Sequence, residues 1–136
     1  MQPDGILETA LYVDDLAAAK AFFGAVIGLS VITEVAGRHV FYRCGEGVLL
    51  LFEPDATAQP PSDPSMPVPP HGARGPGHAC FRVAGDALDG WRTHLEGHGV
   101  PIEADFHWPN GARSIYFRDP AGNSLEISEP KLWGLA

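Results

Sequence analysis

Read for alternation of apolar and polar residues, the chain breaks into short strand-like runs and helical stretches that follow one another in the same order twice. In ILETALYV (residues 6–13) Leu7, Thr9, Leu11 and Val13 share one face, and Ile6, Glu8, Ala10 and Tyr12 share the other, the two-residue period of a half-buried strand. Asp14 and Asp15 then offer a cap for LAAAKAFFGAVIG. There Leu16, Ala19, Phe22, Phe23, Val26 and Ile27 recur at helical spacing, and Gly28 supplies the stop. SVITEVA (30–36), RHVFYRC (38–44) and GVLLLFE (47–53) read as three more strands, parted by Gly37 and by Gly45-Glu46-Gly47. The order is βαβββ.

Residues 54–77 carry eight prolines and show neither helical nor strand period, the signature of a linker or of a loop over a pocket mouth. After them the plan starts again with HACFRV (78–83) and a helix from about Asp86, with Leu88, Trp91 and Leu95 on one face and Gly99 as its stop. IEADFHW, ARSIYFR and NSLEISE supply three strands, the last two joined by the turn signal Asp119-Pro120-Ala121-Gly122. Leu11 maps onto Phe81, Val13 onto Val83, Gly28 onto Gly99 and Leu29 onto Val100 at offsets of 70 or 71, and Glu53-Pro54 maps onto Glu129-Pro130 at an offset of 76. The fold class expected is α+β: tandem βαβββ modules over 1–54 and 78–136, with 55–77 between them, forming a cupped mixed sheet within one structural domain. Such modules leave a sheet edge open, which a homodimer would cover; pairing of the halves within one chain is the alternative.

Composition narrows the partners. Nine Lys and Arg against seventeen Asp and Glu give a net charge of −8, which disfavours nucleic acid. No apolar run is long enough to span a membrane and the start lacks a signal-peptide pattern, so the expected location is cytoplasmic. Cys44 and Cys80 form no CxxC pair and read as reduced packing residues.

Strand parity selects the candidate chemistry. Glu8 lies on the face away from the helix; its repeat equivalent is His78, which shares that face with Cys80 and Arg82. In the last strand Ser124, Glu126 and Ser128 form a polar face; a carboxylate buried there without a partner is costly, and a bound cation would supply the reason for it. The repeat sets Leu50 opposite Glu126, while Glu53 has the other parity and is expected outside the pocket. Glu8 could instead be a solvated carboxylate, His78 a satisfied polar residue, and Glu126 a partner for Arg82 or Arg118. His39, Phe41 and Arg43 alternate on one strand and Ser114, Tyr116 and Arg118 on another, so aromatic walls and guanidinium groups could meet a small, partly anionic substrate. Trp108 could form a rim or be structural, and His71 could belong to a lid.

The segments ETALYVDDLAAAKAFFGAVIGL, GHACFRV and above all YFRDPAGNSLEI resemble the vicinal-oxygen-chelate superfamily, which includes glyoxalase I, extradiol dioxygenases, fosfomycin-modifying enzymes and bleomycin-resistance proteins. The resemblance implies a divalent metal (Fe, Mn, Zn or Ni) held by Glu8, His78 and Glu126, with Glu8 where His or Gln is usual and Leu50 replacing the fourth ligand. It further implies a metal-dependent lyase, isomerase or oxygenase whose substrate chelates the ion through neighbouring oxygens. Glu8 would be the base, and Tyr12, Phe41, Arg43, Trp108, Tyr116 and Arg118 would contact substrate. A binding protein of the drug-resistance type, using the same cavity without chemistry, is the alternative; its acidic surface would steer cationic drugs.

Overall fold

The computed structural model describes residues 1–136 and divides the chain into two compact units, Met1–Gly75 and Pro76–Ala136. The first runs β1 (Glu8–Tyr12), α1 (Leu16–Ala25), β2 (Ser30–Val35), β3 (His39–Cys44), β4 (Gly47–Phe52) and the single turn α2 (Pro54–Thr57). The second runs β5 (His78–Arg82), a 3₁₀ turn Gly85–Ala87, α3 (Leu88–Gly97), β6 (Ala104–His107), β7 (Arg113–Arg118), β8 (Ser124–Ser128) and a 3₁₀ turn Pro130–Trp133. These are the expected α+β modules, one βαβββ unit in each half.

Each sheet has four strands, in the orders β1-β4-β3-β2 and β5-β8-β7-β6, with the first pair parallel and the others antiparallel. A parallel pair requires a crossover, and in each unit the chain between the parallel strands contains that unit's long helix. Asp15 caps α1 by accepting from the Ala18 N–H at 3.0 Å. Gly28 and its equivalent Gly99 take φ of 80° and 70° where each helix turns back into the sheet, a region open to glycine without steric cost.

One face of each sheet is covered by its helix. In the first unit Leu11, Val13, Val40, Tyr42, Leu49 and Leu51 are buried with Ala19 and Phe23 of α1, and the Tyr42 hydroxyl donates to the Lys20 carbonyl at 3.1 Å. In the second, Ile115, Phe117, Leu125 and Ile127 are buried with Leu88 and Leu95 of α3. A buried aliphatic or aromatic side chain contributes about 1.5–3 kcal/mol by leaving water, so these layers dominate each unit's stability. The other face of each sheet, free of the helix, carries the candidate chemistry. No helix is long and apolar enough to cross a membrane.

The Pro-rich segment departs from the sequence reading at its start. Although no period is visible in residues 54–77, Pro54 at the first helical position and Glu53 before it launch one helical turn, α2. Glu53 accepts from the N–H groups of Asp55 and Ala56 at 3.2 and 2.8 Å, so its carboxylate is spent as a cap.

Candidate functional site

Register places the two open faces in exact correspondence only through their backbones; their side chains differ row by row. The second unit has a row Cys80–Glu126–Tyr116, and the first has Ala10–Leu50–Phe41 at the same strand positions. The next row is Arg82–Ser128–Ser114 in the second unit and Tyr12–Phe52–His39 in the first. His78, Ser124 and Arg118 likewise correspond to Glu8, Val48 and Arg43. One open face is polar around a buried carboxylate, the other apolar and aromatic.

On the polar face Glu126 is 4% exposed. Its Oε1 accepts the Ser114 hydroxyl at 2.5 Å, and Ser114 in turn accepts the Trp108 indole N–H at 2.8 Å. Ser128 donates to the Arg113 carbonyl at 2.8 Å, so the proton directed at Glu126 comes from Ser114. Cys80 and Tyr116 flank Glu126 in register. Burial, reinforced by the Glu126 charge, pushes the thiol and the phenol each up to about 12. Every buried side-chain nitrogen and oxygen has a partner.

His78 is positioned from the turn before β8. The Gly77 N–H donates to Asn123 Oδ1 at 2.7 Å, the Ser124 N–H donates to the Gly77 carbonyl at 2.9 Å, and Asn123 is bonded in turn to Asp119 at 2.7 and 2.9 Å. Aspartate and asparagine favour such local backbone bonding, which gives the DPAGN stretch its role. His78 Nδ1 lies 2.9 Å from the Ser124 carbonyl, which can only accept, so Nδ1 carries the proton. Nε2 is left facing Glu126 Oε2 at 3.4 Å. In the neutral imidazole these are two electron-pair donors aimed at one space. Ligand atoms about 2.1 Å from a tetrahedral ion lie roughly 3.4 Å apart, and a metal-binding histidine usually donates its other N–H to a carbonyl or carboxylate. The donor pair thus fits a divalent cation. Within either unit no three His, Cys, Asp or Glu side chains gather into a metal-holding group.

The other predicted residues on this face divide. Tyr116 stands between two rings, His78 at 6.3 Å and Phe106 at 6.0 Å, and Trp108 is tied to Ser114. Arg118 is held by Glu103 at 2.6 and 2.9 Å and by the Gly122 carbonyl at 3.1 Å, and makes no ion pair with Glu126.

On the first unit's open face Glu8, Phe41 and Leu50 line a cavity of about 770 Å³, together with Arg38, His39, Phe52 and the segment 66–71. Arg43 is exposed and Tyr12 bonds His71 Nδ1 at 2.7 Å. The His71 N–H donates to the Thr57 carbonyl at 3.0 Å. Gly72 passes so close to the Pro54 carbonyl that a Cβ would sit 2.9 Å from it, so the Pro-rich segment is tied down at the end of α2. Strand parity predicts His39 and Phe41 on this face, and the repeat predicts Leu50. Phe52 shares the parity of Leu50 and was equally legible, whereas Arg38 lies in a turn, where parity carries no direction.

A repeated βαβββ unit with its polar chemistry on the helix-free face defines the class of protein. The sequence matches the family described as the Glyoxalase/Bleomycin resistance protein/Dioxygenase superfamily over residues 5–127, and the chain belongs to that superfamily. It is 32% identical over 127 residues to an uncharacterised protein, YaeR, of Escherichia coli K12, covering 88% of this chain and 92% of the relative. Among solved structures, a lactoylglutathione lyase from Agrobacterium tumefaciens is 47% identical with a TM-score of 0.93, covering 99% of this chain and 100% of the other. A mutant fosfomycin resistance protein of Listeria monocytogenes, complexed with Mn(II) and a dihydroxypropylphosphonic acid, shares the fold at a TM-score of 0.68 and 18% identity, covering 93% and 90% of the two chains.

Proposed function

We propose that this protein is a metal-dependent enzyme of the lyase, isomerase or oxygenase kind, acting on a small substrate that chelates the ion through neighbouring oxygens. The observation that carries this reading is the His78–Glu126 pair: a tautomer fixed by the Ser124 carbonyl and a buried carboxylate oxygen 3.4 Å from the free ring nitrogen. A bound divalent ion would supply Lewis acidity toward substrate oxygens. His78 would offer Nε2 and Glu126 its Oε2, while the Trp108–Ser114 chain holds the second carboxylate oxygen and keeps the first aimed outward. For Glu8 we propose ligation and proton transfer, since a carboxylate can leave an ion and accept a proton more readily than a fixed imidazole.

The test is metal analysis of protein purified without chelator, beside Glu126→Ala and His78→Ala. Stoichiometric metal in the parent and its loss in both variants is expected; equal metal in all three overturns the assignment. His94 on α3 and His98 just past its end, with rings 4.5 Å apart, can bind transition ions adventitiously. The comparison is therefore run in a background where both are alanine. Turnover is assayed first with lactoylglutathione, the compound in the Agrobacterium neighbour's name, and then as oxygen uptake with catechols. Glu8→Gln should abolish turnover and retain most of the metal, and parallel loss of both removes the base role. A homodimer is part of this reading, supported by β2, an edge strand that leaves Val31, Ile32 and Val35 in solvent; sedimentation decides it.

A second reading, a binding protein without chemistry, draws on Leu50: the apolar cavity of the first unit has a leucine where the second has its carboxylate. Absence of metal in the parent, with tight retention of a cationic drug, would favour it.

A further inference from the structure

The cavity on the first unit's open face has a feature that the metal reading does not use. Five of the chain's cations, Lys20, Arg74, Arg92, Arg113 and Arg118, are each held by a carboxylate. Arg38 is not. Its guanidinium donates to His39 Nδ1 at 2.8 Å, lies 5.9 Å from the Phe52 ring centroid, and has no acidic partner. Five N–H groups in a rigid fork leave most of its donors unused. Because Arg38 donates to it, Nδ1 of His39 is an acceptor and the imidazole is neutral; burial and the adjacent guanidinium both lower its basicity.

Around that cation the lining is aromatic. The His39 ring stacks on Phe41 with centroids 4.0 Å apart and planes 12° apart, and Phe52 stands edge-on to both at 79°. His71 closes the corner against Phe52 at 4.7 Å, held by its bonds to Tyr12 and the Thr57 carbonyl. Val68 and its neighbours in the tied-down segment supply the facing wall. Glu8 also borders the cavity, but in the row four strand residues away from Tyr12, about 13 Å along the sheet. The cavity is cationic at one end, anionic at the other and apolar between.

We propose that this cavity is a binding site for a planar apolar carboxylate, its ring lying among His39, Phe41 and Phe52 and its anion on the Arg38 guanidinium. A bidentate carboxylate matches the geometry of the unused N–H fork, and a volume of about 770 Å³ holds a two-ring ligand with room to spare. Glu8 fixes the direction, since an anion at that end meets like charge. The site contains neither His78 nor Glu126 and shares only Glu8 with the proposed metal ligands.

The experiment titrates the full chain, in EDTA, with naphthoate and with naphthamide, which keeps the rings and removes the charge. Naphthoate is expected to bind about tenfold or more tightly than naphthamide. Arg38→Gln should erase that difference while leaving the far-UV circular dichroism unchanged. In the parent protein, naphthoate should shift the NMR resonances of Phe41, Phe52, Val68 and His71, a readout that stands even if Arg38→Gln fails to fold. Equal affinity for acid and amide, discrimination that survives Arg38→Gln, or shifts confined to the second unit would each overturn the proposal. None of these outcomes depends on metal content, so the site can fail while the metal reading stands, and the reverse.

Discussion

Leu50 and Glu126 occupy the same strand position in the two units: each lies on the open face, paired on one side with the parallel strand at Ala10 or Cys80 and on the other with an aromatic residue, Phe41 or Tyr116. The surroundings have diverged with them. Around Glu126 stand hydroxyls, a thiol and an imidazole; around Leu50 stand rings and aliphatic chains.

Exchanging the two residues should therefore give unequal results. Glu126→Leu removes a buried charge, and the Ser114 hydroxyl can turn to Ser128 Oγ, 3.1 Å away. Metal-free protein should stay within about 1 kcal/mol of the parent in urea unfolding, because an apolar residue often replaces a buried charge at little cost. Leu50→Glu places a carboxylate among Phe41, Phe52 and Val48 with no donor built for it, and should destabilise by about 3 kcal/mol or more. Comparable losses in the two variants would contradict the division between the faces.

Ser114→Ala tests the donor chain. It leaves Glu126 Oε1 short of its shortest bond and the Trp108 N–H without an acceptor. A cost of about 1–3 kcal/mol in unfolding free energy is expected, with a roughly 10- to 100-fold loss of metal affinity. Unchanged affinity by competition with a chelating dye would show that Ser114 does not orient the carboxylate.

The helix-covered side of the second unit carries its own electrostatic tie. Asp105 accepts from Arg113 at 2.7 and 2.8 Å and from Arg92 at 2.5 Å, and these guanidinium bonds hold its carboxyl down at about 2. A carboxyl depressed in the folded state stabilises above its unfolded value near 3.9, and that stabilisation disappears as pH falls toward 2. Asp105→Asn should cost about 1 kcal/mol at neutral pH, allowing for solvent screening. The gap between parent and variant should close in melts taken from pH 4 down to pH 2; a constant gap would mean that charge is not what Asp105 supplies.

Cys80 is solvent-exposed as a residue, yet its thiol is pushed up to about 12 by burial of the sulfur and by Glu126. Alkylation by iodoacetamide at pH 8, followed by peptide mass spectrometry, should be much slower than for an ordinary cysteine. It should accelerate in Glu126→Gln, which removes the charge opposing the thiolate. Rapid alkylation in the parent would show that the carboxylate does not bear on the thiol.

Strand parity and the internal repeat were enough to place Glu8, His78 and Glu126 on open faces and to exclude Glu53, because a two-residue period admits only two directions. The supports of those residues were less accessible. Trp108 lies just beyond β6, and only the turn that follows brings its indole to Ser114. Arg38 sits between strands, and nothing in its neighbours announces that it lacks an acid. Glu103 could not be chosen as the partner of Arg118 before the register of β6 against β7 was known. The wall at 66–71 was hidden for a different reason: its order comes from bonds to Tyr12 and Thr57, which have no period to leave in the sequence.

That wall also bears on the speed and economy of capture. Prolines restrict the chain before any ligand arrives, and the His71 and Gly72 tethers restrain its far end. A ligand entering such a cavity has little chain left to order, so association should proceed in a single kinetic phase, and its affinity should owe more to a slow escape than to closure of a gate.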